Sequence, residues 1–333
     1  MSDGELEFVR WLQKRLPRRG TRVRVGIGDD MAVVRAGRDD VLITCDMLLD
    51  GVHFDTRAHA PEQIGRKAIA CSLSDCAAMA VRPLCATVSV ALPRAFSSRD
   101  ARRLVQGMDS IARKFNCAIV GGDTNSWEHP LAIDIAMLAT PYPGIGPVRR
   151  DGARPGDLIC VSGALGGSPL GKHLTFTPRV REARRLAMAL GRDLHAMMDL
   201  SDGLSLDLFR MCQASGTGAV LAETWLKAVI SPAARAQARE DRQSALRHAL
   251  HDGEDFELLL AVNSRVARRL QPGAGRRRAR STNLVIAGVK LWPVGRMTAR
   301  GYELRAVDGT ISALEPRGYE HRFGHSLGTT GKR

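Results

Sequence analysis

Apolar positions along the chain follow helical and strand periods in alternation. Leu6, Val9, Leu12 and Leu16 recur at helical spacing and predict one helix in the first 20 residues. Runs rich in β-branched and apolar residues predict strands at 40–49, 83–93, 131–140 and 157–163, and a turn followed by a strand at 253–262. Helices are predicted at 64–80 and 97–115. Because strands and helices alternate in both halves, the fold class is α/β or α+β.

A stretch rich in proline and glycine, PYPGIGPVRRDGARPGD, ends the alternating pattern at 141–157. The chain has 333 residues, which exceeds one ordinary core and suits two domains. We therefore expect an N-terminal domain over 1–145 and a C-terminal domain over 150–330. No apolar run approaches the roughly 20 residues that span a bilayer, and the N-terminus lacks a secretory signal. The sequence predicts a cytoplasmic protein with no membrane partner.

Composition is that of an ordinary globular protein, with 44% hydrophobic and 25% charged residues. The net charge of +14 leaves a basic nucleic-acid-binding protein as an alternative. Aromatic residues are only 5% of the chain, which is few for stacking on bases, so we expect no nucleic-acid partner. Much of the excess charge lies in Arg-rich stretches, which are typical of solvated surfaces. The seven cysteines form no CxxC pair and indicate small buried side chains in a reducing compartment.

Aspartates beside small residues recur five times at the edges of apolar segments. They occur in Gly28-Asp29-Asp30, Thr44-Cys45-Asp46, Ser74-Asp75, Gly121-Gly122-Asp123 and Asp199-Leu200-Ser201-Asp202, which we interpret as turns at strand ends. One such aspartate is most often a cap or an Asx-turn, but five carboxylates next to apolar segments need neutralisation. Oxygen ligands without a Cys/His pattern favour Mg²⁺, which commonly shares carboxylates with substrate phosphates.

Glycines stand where backbone N–H groups could approach phosphate. Gly121-Gly122 and the run Gly163, Gly166 and Gly167 are expected to serve this purpose. The segment GGSPLGKH (166–173) has P-loop spacing, but it places His173 where a hydroxyl is needed and Pro169 inside the cradle. GIGDD does not continue as a dinucleotide-binding motif. Neither a P-loop nor a Rossmann domain is therefore indicated.

Eight motifs, in order, carry a family resemblance over nearly the whole chain. They are GIGDD, TCD with GVHF, SLSDCAAMA, GGDT, GARPGD, MDLSDGLSLDL, GEDFEL and RGYEH. Together they resemble the thiamine-monophosphate kinases, within the ATP-binding superfamily that includes aminoimidazole ribonucleotide synthetase. The resemblance implies a two-domain fold, with a mixed sheet in the N-terminal domain and an α/β C-terminal domain. It also implies a homodimer that uses ATP and several Mg²⁺ ions to phosphorylate thiamine monophosphate to thiamine diphosphate.

Residue roles follow from the resemblance, position by position. Metal ligands would be Asp30, Thr44, Cys45, Asp46, Asp75, Asp123, Asp199 and Asp202. Contacts to ATP would come from Gly122, Asp123, Arg150 and Ser201, and contacts to thiamine phosphate from His53, Glu254 and Tyr319. No catalytic base is expected, because the acceptor phosphate is already ionised at neutral pH. Cys45 stands where the family has Ser or Thr, so we expect its backbone carbonyl rather than its thiol to approach magnesium.

The motifs are also compatible with other functions. Within the superfamily the alternatives are aminoimidazole ribonucleotide synthetase, selenophosphate synthetase and the hydrogenase-maturation carbamoyl dehydratase. The first cysteine is Cys45, inside a strand, and the last residues are GTTGKR, so the reactive cysteines of the latter two are not matched. A non-catalytic nucleotide-binding relative is the other class, since fold does not establish activity. Cys45 and Cys71, which replace the usual Ser/Thr and Asn, are its best support.

Overall fold

The structure is a computed structural model that describes residues 5–16, 20–266 and 283–321. The N-terminal half contains α1 (Glu5–Arg15), β1 (Val23–Val25), β2 (Ala32–Ala36), β3 (Asp39–Leu49), α2 (Pro61–Ala78), β4 (Val81–Pro93), α3 (Ser98–Lys114), β5 (Ala118–Trp127) and β6 (Ala132–Pro141). Most of the Arg-rich segment 265–280 lies outside the described residues. Within them, no helix combines the length and apolar character needed to cross a membrane.

The six strands of this half form one mixed sheet in the order β1-β2-β3-β6-β4-β5. All neighbours are antiparallel except β4 and β5, which run parallel. On β6 the side chains of Ile133, Ile135 and Met137 alternate into the core, as the predicted strand period requires. Helix α3 begins where the sequence predicts, because the Ser97 side chain accepts a hydrogen bond from the Asp100 amide at 3.0 Å.

Helix α2 is buried on nearly every side, as its many small residues predict. Its contact with α3 is close at two glycines: a Cβ on Gly65 would lie 2.0 Å from the Leu104 carbonyl oxygen, and one on Gly107 would lie 2.0 Å from that of Glu62. The opposite side of α2 packs against elements of the C-terminal half. One hydrophobic core therefore joins the two halves through this helix.

The C-terminal half follows with β7 (Leu158–Val161), α4 (Lys172–Thr175), α5 (Val180–Leu190), β8 (Leu194–Asp199), α6 (Leu204–Ser215), β9 (Gly218–Ala222), α7 (Glu223–Leu226), α8 (Pro232–Glu240), α9 (Ala245–His251), β10 (Leu258–Val262), β11 (Leu284–Ile286), β12 (Val289–Thr298), β13 (Tyr302–Arg305) and β14 (Ile311–Ala313). Its sheet has the order β14-β13-β9-β12-β7-β10-β8, and β11 pairs with β12. Among the described strands of this sheet, only β9 and β13 are parallel neighbours. Mixed sheets with packed helices in both halves confirm the predicted fold class.

Several local predictions were wrong. GGDTNSW is not a turn, because β5 continues through it in register with β4, and Gly122 permits the approach of the Val88 carbonyl. At the start of α6, the buried carboxylate of Asp207 accepts hydrogen bonds from the amides of residues 202 and 203. The prediction of seven buried cysteines also fails at two positions, since Cys45 on β3 is exposed and Cys85 on β4 is only half-buried.

Candidate active site

Three carboxylates from three elements converge between the halves of the molecule. Asp30 lies in the turn before β2, Asp75 on α2 and Asp199 at the end of β8. One oxygen from each lies within 4.8 Å of the others. Oδ2 of Asp30 is buried and has no hydrogen-bond partner among the described residues. Buried polar atoms are rarely left unpaired, so this donor set fits a hard divalent cation.

The raised pKa values of the clustered carboxylates also favour a bound cation. Burial raises the pKa of Asp75 well above its ordinary value, and the neighbouring Asp46 and Asp199 raise it further. Burial also raises the pKa of Asp199, and Asp30 adds to the effect. For Asp46, burial raises the pKa to about 6. Four mutually repelling carboxylates are costly without a counter-charge, and a cation shared among them would remove that cost.

Asp29 and Arg150 support the turn that carries Asp30. Asp29 accepts hydrogen bonds from the amides of Asp30, at 3.0 Å, and Arg150, at 3.4 Å. Burial and the adjacent Asp30 raise the pKa of Asp29 to about 7, and the guanidinium of Arg150 opposes this. Nη2 of Arg150 lies 2.6 Å from Oδ1 of Asp30. Asp29 therefore orients the turn, and Arg150 neutralises the carboxylate next to it.

The TCD segment divides its side chains between the two faces of the sheet. On the α2 side, the Thr44 hydroxyl donates to Asp75 and Asp46 accepts from Ser72. On the other face, the Cys45 thiol donates to Asp134 at 3.2 Å. Burial, with Asp134 beside it, raises the pKa of Cys45 to about 11. Cys45 is therefore a neutral thiol at physiological pH and its side chain is a poor metal ligand.

Asp123 is not part of this cluster within one chain. It pairs with Ser89 on β4, which pairs with Asp134 on β6, which pairs with Met47 on β3. Directly opposed residues share a face, so Asp123 lies on the face opposite Asp46, and three strand spacings separate it from β3, or roughly 14 Å. The interpretation of the acidic segments as turns is corrected too: Asp46 and Asp123 are within strands and Asp75 is within a helix.

A cavity of about 580 Å³ opens beside the carboxylate cluster. The residues that line it include Asp46, His53, Ser201, Asp202, Glu254 and Tyr319. The fold therefore brings His53, Glu254 and Tyr319, the three residues expected to contact thiamine phosphate, into one cavity. Nδ1 of His53 accepts from the Leu49 amide at 3.0 Å, and burial, with Lys67 nearby, lowers its pKa, so the ring is neutral.

The turn after β8 brings Ser201 and Asp202 to the same cavity. The Ser201 carbonyl accepts from the Glu254 amide at 2.6 Å, and the Asp202 carbonyl accepts from the Tyr319 amide at 3.0 Å. The Asp202 carboxylate accepts from Arg210, which also bonds Asp207. Asp202 is therefore at the edge of the cleft, apart from the three converging carboxylates.

The glycine run at 163–167 does not form a phosphate cradle. The amide of Gly166 donates to both oxygens of Asp255 at 3.0 Å, and that of Gly167 donates to Asp252 at 2.7 Å. The Ser168 hydroxyl donates to Asp255 as well. This prediction was wrong because internal carboxylates occupy the amides that a phosphate would need.

Sequence reasoning missed His173, which lines the cavity, and Lys67, which bonds the cavity residue Glu254. Lys67 on α2 is fully buried, and its ammonium donates to the carboxylate of Glu254. His173 on α4 is buried beside it, with Nδ1 2.9 Å from the ammonium nitrogen. A lysine inside a helix of small and apolar residues was the available signal for Lys67. His173 carried no comparable signal, because the motif around it resembled an incomplete P-loop.

Comparison with known proteins agrees with these features. The family described as AIR synthase related protein matches with its N-terminal domain over residues 28–140 and with its C-terminal domain over 152–268. A thiamine-monophosphate kinase of Rhodopirellula baltica is 37% identical over 96% of this chain and 97% of its own length. The chain belongs to the thiamine-monophosphate kinase family. Its match extends well beyond the shared superfamily domains.

Solved structures place the fold in the same family. AaThiL complexed with AMPPCP and TMP superposes with a TM-score of 0.77 at 26% identity, covering 96% of this chain and 97% of that one. E. coli HypE, a hydrogenase maturation protein, gives a TM-score of 0.65 at 19% identity over 93% of this chain and 96% of its own. The second likeness concerns the fold alone. The thiamine-monophosphate kinase family is thus the one that both sequence and structure support.

Proposed function

We propose that the chain transfers the γ-phosphate of ATP to thiamine monophosphate and releases ADP and thiamine diphosphate. The observation that carries the proposal is the convergence of Asp30, Asp75 and Asp199 beside the cavity that holds His53 and Glu254. Membership in the thiamine-monophosphate kinase family supports the substrate pair. A cytoplasmic location stays a prediction from the sequence.

Magnesium is the cation that the donor set favours. We assign Asp30, Asp75 and Asp199 as its nearest ligands, with Asp46 and Thr44 beside them and Asp202 at the cleft edge. When bound, magnesium would neutralise the phosphates of both substrates. At position 45 the backbone carbonyl is the available hard donor, because the thiol is neutral and bonded to Asp134.

The chain itself has to position two polyanions in line. A phosphate acceptor is already ionised, so the reaction does not require a paired base and nucleophile in the cavity. Arg150 is the cation expected to contact the nucleotide phosphates, and its present bonds to Asp29 and Asp30 place it at the cluster. Ser201 lies in the turn that lines the cavity, where it would contact the nucleotide.

Thiamine phosphate carries a cationic thiazolium ring. A carboxylate and aromatic faces suit such a ring, and the cavity supplies them in Glu254, His53 and Tyr319. The Tyr319 and His53 ring centroids lie 6.4 Å apart. Because His53 is kept neutral, it does not repel the thiazolium.

A homodimer would complete the site. Asp123 and Gly122 lie on β5, an edge strand whose residues from Gly121 onward are exposed. Large apolar side chains are exposed on the same sheet at Ile43, Met47 and Val120. A second copy packed against this face would bury them and bring its own Asp123 to β3, the strand that carries Asp46. We therefore assign Asp123 to the active site of the partner copy.

The assay for this proposal measures ADP formation by purified protein with ATP and Mg²⁺. Thiamine monophosphate should stimulate it, whereas unphosphorylated thiamine, which lacks the acceptor phosphate, should not. ADP formation that is equal with and without thiamine monophosphate would rule out the proposed acceptor. A chelator should abolish the stimulated rate, since without the cation the carboxylate cluster would repel the phosphates.

A further inference from the structure

Lys67 is a buried cation whose hydrogen-bonding capacity is fully used. Its side chain is 0% exposed. The ammonium donates to the His53 carbonyl at 2.5 Å, to Oε1 of Glu254, and to Nδ1 of His173 at 2.9 Å. An ammonium has three N–H donors, so none is left for a substrate. Lys67 therefore acts on the cavity through its partners.

Those partners come from three separate segments. His53 follows β3 in the N-terminal half, whereas Glu254 and His173 belong to the C-terminal half. Two of them, His53 and Glu254, line the cavity with side chains that we assign to the substrate. Lys67 thus joins, through a single atom, the two segments that would contact thiamine phosphate from opposite halves of the molecule.

The contacts of Lys67 determine where the protons and charges of its neighbours lie. Because an ammonium can only donate, Nδ1 of His173 must accept from it and the histidine proton is on Nε2. The 3.3 Å approach of the same Nδ1 to Glu254 is therefore not a hydrogen bond. Glu254 remains the carboxylate that balances the buried ammonium, and a buried charge that loses its partner is strongly unfavourable. The Glu254 side chain is consequently held at one position.

The backbone around Glu254 also needs to be held. Glu254 and Phe256 have φ values of +53° and +48°, which non-glycine residues rarely adopt. Such conformations persist only where the surroundings fix them. The Phe256 ring stacks on Phe176 with centroids 4.1 Å apart, and Lys67 fixes Glu254. The carboxylate in the cavity therefore stands on a loop whose geometry depends on this lysine.

We infer that Lys67 is a positioning residue that sets the affinity for the cationic thiamine phosphate by holding Glu254 and the His53 segment in a fixed relation. The inference rests on the proposed function and adds a residue to it. It predicts a selective effect: removal of the ammonium should weaken the site for thiamine phosphate while the nucleotide site, built on the aspartate cluster, remains intact.

The test compares Lys67→Met with Arg66→Met on the same helix. Arg66 also ties α2 to the C-terminal half, since it donates to the carbonyls of Leu174 and Phe176, but it bonds neither Glu254 nor His53. In Lys67→Met the KM for thiamine monophosphate should rise by about tenfold or more, with the KM for ATP changed by no more than about threefold. Arg66→Met should leave both KM values near those of the wild type. Calorimetric titration with thiamine monophosphate alone should show the same selectivity.

Equal effects of Lys67→Met and Arg66→Met on the KM for thiamine monophosphate would overturn the inference, because the lysine would then only join the halves. Should Lys67→Met fail to fold, Lys67→Gln takes its place in the comparison with Arg66→Met. An unchanged KM for thiamine monophosphate in Lys67→Gln also overturns the inference. A wild-type protein that neither binds nor phosphorylates thiamine monophosphate would instead refute the proposed function, so the two failures are distinguishable.

Discussion

At the scale of single residues, three aspartates from a turn, a helix and a strand converge between the two halves of the molecule. The association of aspartates with small residues correctly indicated a carboxylate cluster, and Asp30, Asp75 and Asp199 form it. The local environment of each was not predictable, because a strand, a helix and a turn can all present an aspartate beside a small residue. Lys67 was missed for the opposite reason, since its partners are distant in sequence and only the fold brings them together.

Asp75→Asn should uncouple stability from magnesium. The folded-state pKa of Asp75 is raised, so its ionised form destabilises the fold at neutral pH, and the neutral amide should make the metal-free protein more stable. Wild-type protein should gain about 2.7 kcal/mol when magnesium is at about 100 times its Kd, whereas the variant should gain much less. Thermal unfolding with and without Mg²⁺ measures both effects. A variant that is less stable without metal and still gains fully from magnesium would contradict the cluster assignment.

The same substitution should lower kcat by about 100-fold or more, because the charge that offsets phosphate repulsion is lost. The hydrogen bond from Thr44 can be retained by the amide oxygen, so the fold should persist. Steady-state kinetics with both substrates measures the loss. Asp29→Asn is the matched comparison: it should reduce kcat less, since Asp29 orients the turn by accepting amide hydrogen bonds.

At the scale of elements, periodicity located the long strands and α3 because one face of each is buried, whereas α2, buried on nearly every side, was located by its run of small residues. β3, β4 and β6 and helices α2 and α3 lie where the sequence predicts them, within a few residues. β5 was cut short because GGD resembles a turn, and only pairing with β4 shows that the strand continues. The glycine run at 163–167 was assigned to phosphate because nothing local revealed Asp252 and Asp255 as its partners.

Ser168→Ala tests the structural role of that glycine run. Ser168 is fully buried and its hydroxyl donates to Asp255, so the substitution should cost about 1–3 kcal/mol of unfolding free energy. The KM for ATP should be unchanged, because the loop amides already bond carboxylates. Chemical denaturation and kinetics measure the two quantities. Thr175→Ala, at an exposed hydroxyl, is the control; a large rise in the KM for ATP in Ser168→Ala alone would favour a phosphate role.

At the scale of the whole molecule, the two halves share one core through α2, and the proposed site lies where they meet. The order of motifs made the fold class and the reaction predictable. The position of Asp123 was not, because a ligand set carried over by motif does not show on which face of a sheet each residue lies. Within one chain, Asp46 on β3 and Asp123 on β5 lie on opposite faces of the same sheet.

Mixing two inactive variants tests the contribution of the partner copy. If Asp123 serves the partner's site, Asp123→Asn mixed with Asp75→Asn should recover about a quarter of wild-type activity, since half the dimers are mixed and each mixed dimer has one intact site. Turnover is measured after subunit exchange, with each variant alone as the control. If Asp123 acts within its own chain, or if the protein stays monomeric, no activity should return.

The decisive step of the proposed reaction is direct phosphoryl transfer from ATP to thiamine monophosphate. It is tested by following the label of [γ-³²P]ATP with purified protein, Mg²⁺ and thiamine monophosphate. Chromatography should place the label in the terminal phosphate of thiamine diphosphate, in amounts equal to the ADP formed, and Asp75→Asn should transfer almost none. Label found only in inorganic phosphate, with no labelled thiamine diphosphate, would contradict the account.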